Sequence, residues 1–245
     1  GVAVNGKLWE NGQTIRIKFL NGTETQQEKV KTFAQEWLQY ANLTFDFVEQ
    51  AENADVKIAF DWHDDHITWS MTGPDARYIP QSAPSLNFGN LSRIDRFIRR
   101  DVLMQFGHIL GLVNEHQGVN NPLELDTELV YEYYLEEGWA ARDINEFFFR
   151  PYTSAETNYT EYDSKSIMVW PIDPILTTSG VGQFQNSELS VLDKQFIAKL
   201  YPKVRDADYT ILGVSFSAPF TLGLRGVLNT RQDVYIDFGD GTSYT

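Results

Sequence analysis

The stretch that decides the fold of this 245-residue chain is Met104-Gln105-Phe106-Gly107-His108-Ile109-Leu110-Gly111-Leu112-Val113-Asn114-Glu115-His116-Gln117. Apolar residues recur through residues 94–112 at the spacing of a helix that buries one face. Glycine is typical of a helix end, so Gly111 predicts the point where this long helix stops and the chain turns sharply. Met104 and His108, four residues apart, lie on the same face of such a helix.

The stretch has the spacing of the zinc-protease motif H-E-x-x-H-x-x-G-x-x-H, in which histidines bind zinc and the glutamate takes a proton from the metal-bound water. Only His108 and Gly111 hold the motif residues. Met104 stands at the first ligand position, Gln105 at the general base and Asn114 at the third ligand position. A thioether suits Cu(I) better than Zn²⁺, and catalytic zinc needs three protein ligands. No cofactor is therefore expected, and zinc enters only if the site has been remodelled.

Two segments carry a family resemblance. Residues 106–117 resemble the form H-E-F-G-H-x-L-G-L-x-H-E-H-Q of bacterial astacin-like metzincins, and residues 162–171 (YDSKSIMVWP) resemble the Met-turn of that family. The resemblance implies that Met168 lies beneath the metal site. It also implies that Trp170 replaces a tyrosine that binds zinc and stabilises the oxyanion. An indole N–H can donate one hydrogen bond but cannot bind zinc.

The same resemblance predicts the fold class. It implies an α+β, metzincin-like two-lobe domain over residues 1–202, with a twisted mixed sheet plus helices, the long motif helix and a mostly helical lower lobe. Alternating apolar residues predict strands at 14–19 and 43–48, and the first strand is placed within 8–20. A further strand is predicted at 55–60, and helices at 25–40, 123–134, 141–149 and 190–200. Segments 70–76 and 84–89 resemble the strand that lines the substrate cleft, so the cleft edge is assigned to Ser70, Met71, Thr72 and Gly73.

Residues 203–245 form a separate, β-rich C-terminal segment in this interpretation. Short β-like runs at 209–214, 220–224 and 233–238 alternate there with Gly, Pro and Asn turns. The stretch at 237–242, DFGDGT, resembles the start of a PKD-type, immunoglobulin-like domain. The segment is shorter than such a domain needs, so we expect either a partial second domain or a small appendix.

Composition limits the partners and the location. The net charge of −14 argues against nucleic acid and anionic membranes, because both repel an acidic surface. No apolar run approaches a membrane span, so no membrane insertion is expected. The chain has no cysteine, which departs from animal astacins and fits a bacterial branch. The family resemblance implies a secreted, cell-surface or periplasmic protein, although the sequence shows no signal peptide.

The sequence favours a catalytically inactive homologue, a pseudoenzyme whose cleft still takes an extended peptide or protein segment by β-addition. One alternative is an active zinc endopeptidase with a remodelled site, in which His116 or Glu115 joins His108. Another is an adhesion or carbohydrate-contact module carried by the aromatic residues of 131–149 and the C-terminal segment. His63 and His66 form a further polar cluster that is either a metal site or a solvated loop.

Overall fold

The computed structural model describes residues 1–203 and the strand residues 236–237 and 243–244. Its α-helices are α1 Glu24–Leu38, α2 Asp95–Ile109, α3 Thr127–Glu136, α4 Ala141–Ile144 and α5 Val191–Leu200. Its strands are β1 Val2–Val4, β2 Thr14–Phe19, β3 Thr44–Phe47, β4 Val56–Phe60, β5 Trp69–Ser70, β6 Leu86–Phe88, β7 Leu112–Val113, β8 Thr157–Tyr159, β9 Ile236–Asp237 and β10 Ser243–Tyr244. Among the described helices, none is both long enough and apolar enough to cross a membrane.

The main sheet is mixed, as the sequence predicts. Its strand order is β3-β2-β4-β6-β5, and every pair is parallel except β5 with β6. β5 therefore forms one edge of this sheet. A smaller antiparallel sheet, in the order β7-β1-β8, joins the first residues of the chain to the turn after α2. The predicted α+β, metzincin-like fold class is confirmed.

Helices α1 and α2 pack together and form the upper core with the main sheet. Thr23 caps the start of α1: its hydroxyl accepts the Gln26 N–H, while the Gln26 side chain accepts the Thr23 N–H. The indole N–H of buried Trp37 donates to the Leu103 carbonyl at 2.9 Å, which joins the two helices. This contact fixes the position of α2 along α1, and it therefore also fixes the position of the motif residues that α2 carries.

The lower lobe has its own apolar cluster, the lower core, formed by Val130, Tyr134, Ile144, Phe148, Ile172 and Leu176. The predicted helix at 141–149 is present as α4 followed by a π-helical turn at Asn145–Phe149. Most aromatic rings of the lower lobe pack on one another, and the ring centroids of Tyr134 and Phe148 are 4.5 Å apart. Packing of the lower lobe therefore accounts for this dense aromatic composition.

Several boundaries differ from the prediction. α2 ends at Ile109, and residues 112–113 form β7, because Gly111 adopts a left-handed φ of +92° that no helix continues through. β1 was not predicted, and it forms by pairing with β7 and β8, which are distant in sequence. The short strands β9 and β10 pair antiparallel. The predicted strands at 209–214 and 220–224 lie outside the described residues, and the PKD-like assignment stays a prediction.

Candidate functional site

The site is built on the last two turns of α2 and the sharp turn that follows. A side chain at Gly111 would collide with the Lys7 carbonyl oxygen, so the turn requires glycine both for space and for its positive φ. The turn returns the Leu112 carbonyl to His108, whose Nδ1 lies 2.9 Å from it. We assign the proton to Nδ1, because only an N–H can bond a carbonyl. The His108 Nε2 then carries a free lone pair, and burial lowers the pKa of the ring.

Met104 lies one turn before His108 on the same helix and is almost fully buried. Its sulfur accepts a hydrogen bond from the Gln185 amide, with Nε2 at 3.1 Å from Sδ. Gln185 lies two residues after Gln183, which exchanges two backbone hydrogen bonds with Ile172. Met104, at the first ligand position of the motif, thus contacts Gln185. No feature of the sequence indicates this contact, because Gln185 lies 81 positions after Met104.

Two amide oxygens beside the motif are buried without a hydrogen-bond partner in the described part of the chain. They are Oε1 of Gln105 and Oδ1 of Asn114. The Asn114 N–H and side-chain amide both approach Gln117 Oε1 instead, at 3.2 and 3.4 Å. Buried acceptors without a donor are uncommon in proteins and call for an explanation, such as a water or an ion. Both belong to positions that carry catalytic chemistry in the motif.

The Met-turn lies beneath α2. Met168 is fully buried, and its sulfur occupies the space that a side chain at Gly107 would need. The Met168 carbonyl accepts the Glu115 N–H at 3.1 Å, which fastens the Met-turn to the turn after α2. Gly107 therefore permits the close approach of the helix to the Met-turn.

Trp170 takes the tyrosine position of the Met-turn and faces the lower lobe. Its ring packs against Phe147, with centroids 5.1 Å apart and planes at 76°. Burial raises the pKa of Tyr134, and a hydrogen bond from the Trp170 indole opposes part of that rise. Trp170 contacts both the upper and the lower core. Its ring therefore packs between the two lobes.

Glu115 and His116 each make contacts with residues other than His108. The Glu115 carboxylate lies 2.8 Å from the Gly1 ammonium and accepts the Asp163 N–H. The His116 Nε2 lies 3.0 Å from the Phe147 carbonyl, and its ring stacks on Phe148. These contacts argue against the alternative in which either residue joins His108 at one metal.

Asp193 positions the Met-turn, a role that the sequence analysis did not assign. It is the third residue of α5 and forms the predicted capping box with Ser190. Its oxygens also accept the Ser166 hydroxyl at 2.6 Å and the Ile167 N–H at 2.8 Å. Ser190 in turn donates to Asp163 at 2.5 Å. One buried carboxylate therefore holds α5 and the Met-turn together.

Comparison with known proteins identifies the family. No protein-family model and no curated protein matches the chain. A structure of myroilysin matches with a TM-score of 0.78 and 37% sequence identity, over 83% of this chain and 99% of that chain. The chain belongs to the astacin-like metallopeptidase family. A crystal structure of myroilysin gives a TM-score of 0.63 at 36% identity, over 81% and 87% of the two chains.

A more distant likeness concerns the fold alone. High choriolytic enzyme 1, a hatching enzyme zinc-protease from the medaka fish Oryzias latipes, matches with a TM-score of 0.53 at 13% identity. The match covers 80% of this astacin-like chain and 94% of the hatching enzyme.

The expectation that no cofactor is involved is wrong, because solved relatives of this astacin-like chain are zinc metalloproteases. The residues of this chain nevertheless do not fit a zinc site with three protein ligands. Met104 offers a thioether and Asn114 a neutral amide at two of the ligand positions. Across residues 1–203, no group of three His, Cys, Asp or Glu side chains could hold a metal ion.

The predicted cleft edge falls at β5. Ser70 lies in the strand, Met71 donates its N–H to the Ser85 carbonyl at 2.8 Å, and Thr72 is extended. Gly73 starts a 3-10 turn at φ +56° and is buried against the Lys7 carbonyl. The accessible part of the edge therefore ends at Thr72.

The cluster with His63 and His66 lies in an exposed loop before β5. His66 Nδ1 bonds Asp61 Oδ1 at 3.0 Å, which raises the pKa of His66. His63 stacks edge-on against Trp62 instead. The two imidazoles therefore make separate contacts, as expected of a solvated loop.

We expect the stability of the protein to fall as the pH is lowered from about 6.5 to about 4. Burial lowers the pKa of His116 to about 4, because a charged ring is poorly solvated there. Protonation would also place an N–H on Nδ1, which has no hydrogen-bond partner in the described structure. A folded-state pKa below the ordinary 6.5 gives stability that is complete above pH 6.5 and lost towards pH 4. The expected loss is about 3 kcal/mol at 1.36 kcal/mol per pKa unit.

The measurement is urea unfolding of the wild type and of His116→Gln between pH 4 and 8. Burial also raises the pKa of Glu115 and Asp193, and their titration acts in the opposite direction in acid. The difference between the two proteins isolates the histidine. An equal pH dependence in both would contradict the assignment.

Proposed function

We propose that this astacin-like chain is a catalytically inactive metallopeptidase homologue that binds an extended peptide in its cleft. The observation that carries the proposal is the side chain at the general-base position. Gln105 has no basicity near neutral pH, so it can orient a water molecule but cannot take its proton. Loss of a general base alone typically lowers the rate about 10²–10⁴-fold.

The oxyanion position supports the same conclusion. In the family, the tyrosine two residues after the Met-turn methionine stabilises the developing negative charge. In this chain the Trp170 ring is packed on Phe147. A peptide carbonyl in the cleft would therefore lack this donor as well as the base.

The edge strand supports peptide binding. Because Met71 directs its N–H towards β6, the neighbouring residues Ser70 and Thr72 direct their backbone groups towards the open edge. An unpaired strand edge is a template for an added strand. An extended peptide could therefore pair with Ser70 and Thr72 through main-chain hydrogen bonds, which is β-addition.

Replacement of Thr72 by proline is expected to weaken peptide binding about 3- to 10-fold. The change removes one N–H at the open edge, and a hydrogen bond contributes about 0.5–1.5 kcal/mol. Thr72 is extended, with φ −98° and ψ 121°, and its N–H is not used by the sheet, so the variant should fold. The measurement is fluorescence anisotropy of the tightest binders from a labelled peptide library, with mass spectrometry of the same peptides for cleavage.

Thr72→Ala is the matched control, because it keeps the N–H and should bind as the wild type does. Binding without cleavage in the wild type would support both halves of the proposal. Cleavage that a chelator stops would instead favour the active endopeptidase. No binding to any peptide would contradict a retained cleft and favour a structural module.

We also propose that the protein acts outside the cytoplasm, as a secreted, cell-surface or periplasmic protein. Membership of the astacin-like family supports this location, and the net charge of −14 disfavours nucleic-acid partners. Fractionation of the native cells, followed by immunodetection, tests the location. Recovery in the cytoplasmic fraction alone would overturn it.

A further inference from the structure

We propose that Met104 and His108 form a binding site for Cu(I), a metal other than the zinc of the family. The proposal starts from the mismatch between the zinc chemistry of the relatives and the side chains of this chain. It is independent of peptide binding, so each of the two proposals can fail without the other.

His108 is already oriented as a metal ligand. Its Nδ1–H donates to the Leu112 carbonyl, which fixes the ring and leaves the lone pair on Nε2. Metal-binding histidines are held in this way, with the second ring nitrogen bonded to a carbonyl or carboxylate. No other hydrogen bond to this ring occurs within residues 1–203.

Met104 places a sulfur on the same face of α2. Residues four apart on a helix have Cβ atoms about 5–6 Å apart, a separation that one metal ion can bridge through both side chains. The only hydrogen bond to Met104 Sδ in the described structure comes from the Gln185 amide, at 3.1 Å. Sulfur is a weak acceptor, so an ion could displace this contact at small cost.

The charge of the site favours a monovalent ion. Every candidate donor is neutral: the Met104 thioether, the His108 imidazole and the unpaired oxygens of Gln105 and Asn114. The Born cost of burying an ion grows with the square of its charge, so a site without a carboxylate or thiolate penalises Zn²⁺ more than Cu⁺. Thioether and imidazole are also ligands that suit Cu(I).

The test is a titration of the purified protein with Cu(I) under anaerobic, ascorbate-reduced conditions, in competition with the chromophoric chelator bicinchoninate. We expect one Cu(I) per chain. We expect Met104→Leu and His108→Gln each to weaken binding at least tenfold. Leucine is close to methionine in volume, so the first variant should keep its fold, and thermal unfolding checks both.

His63→Gln and His66→Gln are matched controls, because they remove histidines of the exposed loop before β5. Their Cu(I) affinity should stay within twofold of the wild type. A second readout is ¹³C NMR of the methionine methyl groups, in which the Met104 signal should shift on Cu(I) addition and the Met71 signal should not.

Two outcomes would overturn the proposal. The first is Cu(I) affinity that is unchanged in Met104→Leu or that is lost in His66→Gln, because copper would then bind elsewhere. The second is tighter binding of Zn²⁺ than of Cu(I) to the wild type, measured against a zinc chelator in the same buffer.

Discussion

A variant that carries Met104→His, Gln105→Glu, Asn114→His and Trp170→Tyr is expected to bind zinc about 10²–10⁴-fold more tightly than the wild type. Loss of a single outer-shell partner already costs 10–100-fold in metal affinity, and the variant restores two histidine ligands as well as the tyrosine. His108 needs no change, because the Leu112 carbonyl already orients its ring. The measurement is competition with a chromophoric zinc chelator, together with mass spectrometry for metal content.

The single variant Gln105→Glu is the matched control. It restores the base without a ligand at the Met104 and Asn114 positions, so its zinc affinity should stay close to that of the wild type. If the fourfold variant folds and gains no zinc affinity, the backbone around α2 has lost the geometry that the zinc site requires.

Asp193→Ala is expected to lower the free energy of unfolding by about 4 kcal/mol. The carboxylate is buried and accepts hydrogen bonds from the Ser166 hydroxyl and from the backbone N–H groups of Ile167 and Ser190. Alanine would leave the Ser166 hydroxyl and the Ile167 N–H buried without this partner, and each such group costs about 1–3 kcal/mol. Urea unfolding at pH 7 measures the change.

Asp126→Ala provides the comparison for that experiment. Asp126 is also a helix-capping aspartate, accepting the Leu129 N–H at the start of α3, but the contact is exposed. Loss of an exposed N-cap costs about 1 kcal/mol. Equal effects of the two substitutions would show that Asp193 acts as a cap alone and does not hold the Met-turn.

Local sequence signals predicted much of the main-sheet lobe correctly. The Ser190–Asp193 capping box and the glycine turn after α2 are determined by neighbouring residues, and both were predicted from sequence. The Gln185 contact with Met104 joins residues 81 positions apart, and no spacing rule predicts it. Strand β1 was missed for the same reason, because it forms only against β7 and β8.

In the candidate site, too, the features set by neighbouring residues were predicted and the contacts between distant residues were not. The positions of Met104, Gln105 and His108 follow from helical periodicity, and the Met-turn motif predicted that Met168 lies beneath them. The directions of Glu115 and His116 did not follow from sequence, because they depend on Gly1 and Phe147. Glu115 and His116 were candidate ligands only because they adjoin the motif in sequence.

The position of Trp170 between the upper and lower cores has a consequence for how the protein unfolds. Because Trp170 contacts both apolar clusters, unfolding of one lobe also removes contacts that stabilise the other lobe. We therefore expect residues 1–203 to melt in one transition, with the same midpoint for tryptophan fluorescence and far-ultraviolet circular dichroism. Trp170→Ala should separate these midpoints, since each lobe would then lose its structure at its own temperature.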